Sequence, residues 1–337
     1  MNAEEVVLLA HGGGGTRTRA LIDDVILRVL NNPILARLDD SACVELAGAE
    51  LVFTTDSYVV DPLFFPGGDI GRLAACGTVN DLVMQGGVPR YLSLALILEE
   101  GFRLADLERI VRSLGEAAAE AGVTVGTGDT KVVERGRGSG VFINTSGIGE
   151  RRPGVDVHVS NARPGDAVIV TGTLGDHGIA VMSQREGLRF EAGIASDVAP
   201  LAGLMDGVFR AAPRVRCLRD PTRGGLAAAL GDIAARSGVG IRIRETNVPV
   251  RREVAAACRL LGLDPLNVAN EGKALIVCGA EDADRIMAAL RAHPLGREAA
   301  VIGTVCAEPR GLVLMETVSG GERVVETPSG EDLPRIC

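Results

Sequence analysis

The run Arg151-Arg152-Pro153-Gly154 interrupts a long succession of apolar segments and splits the chain into two blocks that each mix strand-like and helix-like stretches. In the first block, Glu50 to Thr55 is a β-type run ending at Asp56, and Leu92 to Leu98 begins with period-two alternation. Between them, Asp69 to Gln85 is helical in character, carries Asn80-Asp81 in its last turns and stops at Gly86-Gly87. A second helix is expected from Leu104 to Ala121, with Leu104, Leu107, Val111, Leu114 and Ala118 on one stripe and Gly122 as its cap. Val123 to Gly126 and Val141 to Gly149 read as further strands.

After the break, strands are expected at Ala167 to Thr171, Val239 to Ile243, Ala274 to Cys278, Ala300 to Val305 and Leu312 to Met315. Helices are expected at Gly178 to Glu186, Asp197 to Arg210, Gly224 to Arg236, Arg252 to Leu261 and Asp282 to Arg291. The strands are separated by helices too irregularly for a doubly wound sheet, so the fold class is α+β rather than a Rossmann arrangement. The 337 residues exceed the size at which one core keeps growing. Two domains follow, residues 1–150 and 151–318, with a Gly/Ser-bearing flexible tail over 319–337.

Lys+Arg of 35 against Asp+Glu of 44 leaves a net charge of -9, which argues against nucleic acid or an anionic membrane as partner. No stretch approaches a membrane span, and the apolar run Val6 to Ala10 is too short for a signal-peptide core. The seven cysteines are scattered and never spaced C-x-x-C, which suggests neither zinc nor a disulfide framework and places the chain in a reducing cytoplasm. Of the 35 basic residues only Lys131 and Lys273 are lysine. Their settings, Gly128-Asp129-Thr130-Lys131 and Asn270-Glu271-Gly272-Lys273, fit sites that need a compact, deprotonatable point charge.

Several segments carry chemistry. The arm His11-Gly12-Gly13-Gly14-Gly15-Thr16-Arg17 offers consecutive N–H groups of the kind that wrap phosphate, although by itself it reads as a flexible arm and lacks the Gly-Lys-Ser/Thr of a P-loop. Asp56, Asp81, Asp129 and Asp220 fall at strand ends or in Gly/Asn-rich breaks. Singly each reads as a turn or cap residue; together their hard oxygens suit Mg²⁺ holding a nucleotide triphosphate, with Asn80 and Thr130 beside them. Asp220-Pro221-Thr222-Arg223-Gly224-Gly225 opens a helix, and Thr222, Arg223 and Gly224 at that start form an anion-binding arrangement. His177, in a Gly-rich loop, is placed to contact a ligand. Cys337 ends the run Leu-Pro-Arg-Ile-Cys as a thiol that can swing between two places.

In this order the Gly-rich arm, Thr-Thr-Asp-Ser-Tyr, Asn-Asp-Leu, Gly-Asp-Thr-Lys, Gly-Asp-His-Gly, Asp-Pro-Thr-Arg-Gly-Gly, Asn-Glu-Gly and final Pro-Arg-Ile-Cys resemble the HypE family, the carbamoyl dehydratases of NiFe-hydrogenase maturation, over essentially the whole chain. The ATP-site motifs alone resemble only the wider PurM-like superfamily, and Pro-Arg-Ile-Cys is the specific part. One departure is Gly13-Gly14, where the family pattern has a Ser within the run. The resemblance implies a PurM-like two-domain architecture and a homodimer in which N-terminal strands of both subunits build a shared barrel. It implies that a HypF-like carbamoyltransferase loads Cys337, that the chain uses Mg²⁺ and ATP to dehydrate the carbamoyl group to a thiocyanate, and that the cyano group passes to a HypC-HypD complex.

A thiocarbamate does not lose its oxygen as hydroxide, so that oxygen must first take the γ-phosphoryl group and leave as phosphate. Elimination then needs a base. Glu271 is the expected base, with Lys131 assisting either through a depressed pKa or by holding the oxygen and phosphate, roles the resemblance also assigns to this pair. Lys273 is alternatively a structural ion-pair partner. The rival readings are another PurM-like ATP-dependent synthetase or kinase acting on a small molecule, which needs no terminal thiol, and a non-catalytic scaffold carrying Cys337 as a tag.

Overall fold

A computed structural model of the chain describes residues 8, 11, 13, 15–30, 32–187, 193–212, 214–328 and 335–337. The first block opens with helix α1 (Thr16–Leu21), which runs on through wider turns to Leu30. It then forms strands β1 (Ala42–Leu46), β2 (Ala49–Tyr58), β3 (Gly87–Glu99), β4 (Thr124–Val133) and β5 (Val141–Arg151), with helices α2 (Ile70–Met84) and α3 (Leu104–Glu120) between them. The sheet order is β1-β2-β5-β3-β4, and only β3 and β4 are parallel, because α3 carries the chain from one to the other.

Helix α2 is capped by Asp69, whose carboxylate accepts from the N–H groups of Gly71 at 2.8 Å and Arg72 at 3.0 Å. It ends at Gly86, whose φ of +71° supplies the left-handed turn into β3. Almost every residue of α2 is buried, so its apolar character on all sides makes it a central spine and not a surface helix. A Cβ at Gly71 would lie 2.1 Å from the Ile110 carbonyl oxygen, which is how closely α3 crosses it. The buried face of α3 is Ile110, Leu114, Ala117 and Ala118, rotated from the expected stripe so that Leu104 and Val111 face outward.

The second block forms one seven-stranded sheet. Its strands are β6 (Ala167–Val170), β7 (Val215–Arg219), β8 (Gly240–Arg244), β9 (Leu275–Cys278), β10 (Ala300–Cys306), β11 (Val313–Glu316) and β12 (Glu322–Val324), in the order β12-β11-β8-β10-β6-β9-β7. Helices α4 (Asp176–Arg185), α5 (Ala202–Ala211), α6 (Gly225–Ser237), α7 (Arg252–Leu261) and α8 (Ala283–Arg291) cover its faces. Alternate residues of β6 and β9 serve two cores: Val168, Val170, Leu275 and Val277 pack with Leu226, Leu230 and Ile233 of α6, whereas Ile169 and Ile276 belong to a core shared with Leu73, Val79 and Val83 of α2.

Three expectations are corrected. Residues 197–201 are not helical; α5 starts at Ala202, because the preceding backbone bonds to α2. Strands β1 and β7 were not expected. The tail expected from residue 319 still carries β12, which pairs with β11, and Val325 is buried, so the packed body reaches beyond residue 318. Among the described residues no helix is long and apolar enough to cross a membrane.

Asp69→Ala leaves two N–H groups at the start of a buried helix without their acceptor, and should cost about 1 to 2 kcal/mol. The urea midpoint should fall with the slope unchanged, and an unmoved midpoint would show that these bonds contribute nothing.

Candidate active site

Four elements from both blocks deliver acidic side chains to one place. Asp56 comes from near the end of β2, Asp81 from the last turns of α2, Asp220 from the residue after β7, and Glu271 from the approach to β9. The turn into α6 requires glycine twice, since Gly224 has φ +78° and Gly225 φ +61°, and a Cβ at Gly225 would come within 2.4 Å of the Leu266 carbonyl oxygen. The Gly225 N–H bonds to the Thr222 carbonyl at 2.9 Å, and the turn sets Thr222 and Arg223 against the acidic group.

Two cavities meet here. The outer one, about 780 Å³, runs between the α1 arm and α6 and is lined among others by Gly15, Thr16, Asp40, Arg219 and Thr327. The inner one, about 60 Å³, is lined by Tyr58, Asp81, Glu271 and Cys337. Asp56, Asp220, Thr222 and Arg223 line both, so they form the passage between them.

The inner carboxylates are held in tension. Burial, then the charges of Asp56 and Asp220, push Asp81 well above the ordinary carboxylate range. Burial and Asp40 push Asp220 up to about 8 despite Arg219. Burial, followed by Asp220 and Asp197, raises Glu271 well above its usual value against the opposing Arg223. Glu271 Oε1 is buried with no hydrogen-bond partner among the described residues. At the outer floor Arg219 is gripped between Asp40 and Asp232, while burial lifts Asp40 to about 6.

Cys337 reaches the inner cavity because the end of the chain is folded in. The Val59 N–H donates to the Cys337 carbonyl at 3.2 Å and the Asp61 N–H to the Arg335 carbonyl at 3.1 Å. His177, at the start of α4, donates from Nε2 to the Ile336 carbonyl at 2.8 Å and accepts at Nδ1 from the Ser196 hydroxyl at 2.8 Å. Burial first of all holds its pKa below the ordinary value, which suits this neutral tautomer.

Not every expected residue joins the site. Asn80 is not among the residues lining either cavity: its amide donates to the carbonyls of Ala199 at 3.1 Å and Glu271 at 3.3 Å and accepts from the Leu201 N–H at 2.8 Å, so its polar atoms are engaged across the block boundary. Asp129, Thr130 and Lys131 lie within β4, the exposed edge strand, three strands from Asp56 in the sheet order, on the order of 14 Å away. Lys131 Nζ pairs with Asp129 Oδ2 at 2.6 Å in solvent, an arrangement missed because Gly126 and Gly128 read as breaks. Lys273 takes the structural role, its Nζ 3.0 Å from the buried Asp197 carboxylate, which also receives the Glu271 N–H. Burial opposes the charge on Asp197, but Lys273, His177 and that N–H outweigh it and hold its pKa below the usual value. Gly12 and Gly14 lie outside the described residues; Gly13 is buried, and Gly15 lines the outer cavity. Among the described residues no three His, Cys, Asp or Glu side chains stand together as a preformed metal cage; Asp56, Asp81 and Asp220 line the cavities, and Asp129 stands apart on β4. Tyr58 was overlooked: its hydroxyl bonds to Asp56 Oδ2 at 3.2 Å, two residues along the same strand face.

Residues 38–151 match the family model described as AIR synthase related protein, N-terminal domain, and residues 163–315 that of its C-terminal domain. The chain is 54% identical over 331 residues to carbamoyl dehydratase HypE of Azotobacter vinelandii, covering 98% of this chain and 97% of that protein. It is similar to a crystal structure of a HypE-HypF complex, with a TM-score of 0.87 and 48% identity over 92% of this chain and 100% of that one. A HypE crystal structure in complex with ATP gives a TM-score of 0.82 and 49% identity, covering 98% of this chain and 100% of the other. Two domain models matched in sequence order and near-complete coverage at this identity leave one conclusion: the chain belongs to the HypE carbamoyl dehydratase family, with its PurM-like fold.

Proposed function

We propose that this chain is an ATP-dependent carbamoyl dehydratase that converts a thiocarbamate on Cys337 into a thiocyanate, the source of cyanide ligands for NiFe-hydrogenase iron. The observation that carries this reading is the shared passage: Cys337 and Glu271 line a cavity large enough for a small group on sulfur, and that cavity opens into one of nucleotide size. ATP as substrate and a HypF-like carbamoyltransferase as partner agree with the HypE structures solved with ATP and with HypF. A HypC-HypD complex as acceptor, and a reducing cytoplasm suited to seven free thiols, complete the reading.

The thiocarbamate oxygen bonds to the γ-phosphorus as ADP leaves and the nitrogen gives up one proton. The C–O bond then breaks, phosphate carries the oxygen away, and loss of the second N–H proton leaves the nitrile on sulfur. Arg223, at the passage, neutralises charge on the phosphoryl group in transit, and Thr222 with the first amides of α6 holds it. Glu271, with raised proton affinity and an unpartnered oxygen, accepts a proton from nitrogen. Mg²⁺ brought in on the nucleotide would be held by one or two of the carboxylates of Asp56, Asp81 and Asp220, which line the cavities, with water and phosphate oxygens as its remaining ligands. Mg²⁺ there would offset phosphate charge.

The exposed apolar row Phe53, Ile148 and Tyr91, in register across β2, β5 and β3, fits a homodimer that covers this sheet face. Asp129, Thr130 and Lys131 reach a nucleotide only across such an interface. Residues 1–150 then form the dimerising unit, and they share nucleotide binding with the following block, whose Thr222, Arg223 and α6 line the same cavity.

Incubation with carbamoyl phosphate, ATP and the partner transferase should place the modification on Cys337, and the peptide should then lose the mass of one water. Cys337→Ser should acquire nothing, and modification elsewhere would favour a small-molecule synthetase of the same fold. In Glu271→Gln the loaded tail should persist, with dehydration slowed about 10²- to 10⁴-fold; a normal rate would place the base elsewhere.

Asp81→Asn should weaken Mg-ATP binding at least about tenfold with the circular dichroism spectrum retained, and unchanged affinity by calorimetry would remove Asp81 from the site. Light scattering at micromolar concentration should give twice the 35.0 kDa chain, with Tyr91→Asp shifting it toward monomer; a wild-type monomer would contradict the dimer.

A further inference from the structure

The last three residues are held by groups on the body of the chain. Val59 and Asp61, alternate residues past the end of β2, donate to the carbonyls of Cys337 and Arg335 at 3.2 and 3.1 Å, as an added antiparallel strand would be received. Arg185 of α4 donates to the same Arg335 carbonyl at 2.8 Å, and His177 donates to that of Ile336 at 2.8 Å. All three carbonyls therefore have donors on the body.

Side chains are read as well. Arg335 Nε donates to the Val59 carbonyl at 2.9 Å and Nη1 to Ser139 Oγ at 3.3 Å, with Asp61 Oδ2 at 3.8 Å. Ile336 is only 2% exposed and belongs to the main core cluster. Arg335 has φ +52°, a backbone state that a side-chain-bearing residue adopts when its surroundings impose it. None of these contacts comes from residues 325–328, where the described chain precedes the tripeptide.

We infer that the groove formed by Val59, Asp61, Ser139, His177 and Arg185 is a self-contained receptor for a peptide ending in Arg-Ile-Cys, able to take the tail of a second copy of this chain in trans. The inference rests on the proposed function only for what happens after docking. A short tether supplies an effective concentration on the order of millimolar, so a tail that docks within its own chain implies a free-peptide Kd of about 1 mM or tighter. The consequence is that one chain's ATP site can process a thiocarbamate carried by another.

The test uses the full-length chain with Ile336→Asp, whose own tail no longer docks, and a fluorescent peptide of residues 331–337 under reducing conditions, without ATP. Anisotropy should saturate with a Kd of about 1 mM or below. Replacing Arg335 by Ala in the peptide, or His177 by Gln in the chain, should each weaken binding at least about tenfold. Absence of saturation at several millimolar, or equal binding of a scrambled peptide, overturns the inference. Should Ile336→Asp fail to fold, the wild-type chain serves: excess peptide should displace the tail and speed alkylation of Cys337 several-fold, and an unchanged rate overturns the inference. Neither assay contains ATP or a carbamoyl group, so a chain that dehydrates its own tail yet fails both loses only the receptor.

Discussion

Two hydrogen bonds donated by the buried Asn80 amide to the carbonyls of Ala199 and Glu271, and one it accepts from the Leu201 N–H, hold the two halves of the site in register. Asn80 sits on the central helix of the first block and its three partners lie in the second, so the contact joins the side chains of Asp81 and Glu271 across the boundary. Each buried polar group left without its partner costs about 1 to 3 kcal/mol, which makes a sliding of one block against the other expensive. The common hydrophobic core beneath, from Leu73 and Val83 to Ile169 and Ile276, is non-directional; the amide supplies the register that packing alone does not.

That register concentrates negative charge. Asp56, Asp81, Asp220 and Glu271 line one cavity, and the raised proton affinities of Asp81, Asp220 and Glu271 follow first from burial and then from the neighbouring negative charges. The surroundings are stabilised separately, with Arg219 between Asp40 and Asp232, and Lys273 on Asp197. Removing one member of such a buried pair leaves an uncompensated charge, so these cations are structural even though they stand beside the chemistry. Arg223, by contrast, lines both cavities at their junction.

The tail and the body divide the reaction between them. The thiol arrives on a tripeptide bound through its backbone, with Ile336 as the apolar anchor and Arg335 as the polar one. His177 connects this docking to the ion-pair region, since Ser196 bonds its other nitrogen and neighbouring Asp197 holds Lys273 and the Glu271 N–H. A change in how the tail sits therefore bears on the same backbone that carries the proposed base.

The strand and helix pattern was largely readable from periodicity, as were the motifs of Asp56, Asp81, Asp220, Thr222, Arg223, Glu271 and Cys337, because each combines a local turn or terminus signal with a chemically distinctive residue. Adjacent residues were not separable that way: Asn80 turned to the block boundary while Asp81 faced the cavity, since neighbours on a helix point about 100° apart. The two lysines looked alike in sequence, each close to an acidic residue and glycine, yet one is exposed on an edge strand and the other buried on Asp197. Residue types and their order thus determined which chemistry the chain carries. Which side chains share a cavity, and which merely hold the walls, depended on contacts between segments far apart in sequence, such as Asn80 with Glu271, 191 positions away, and only tertiary packing sets those.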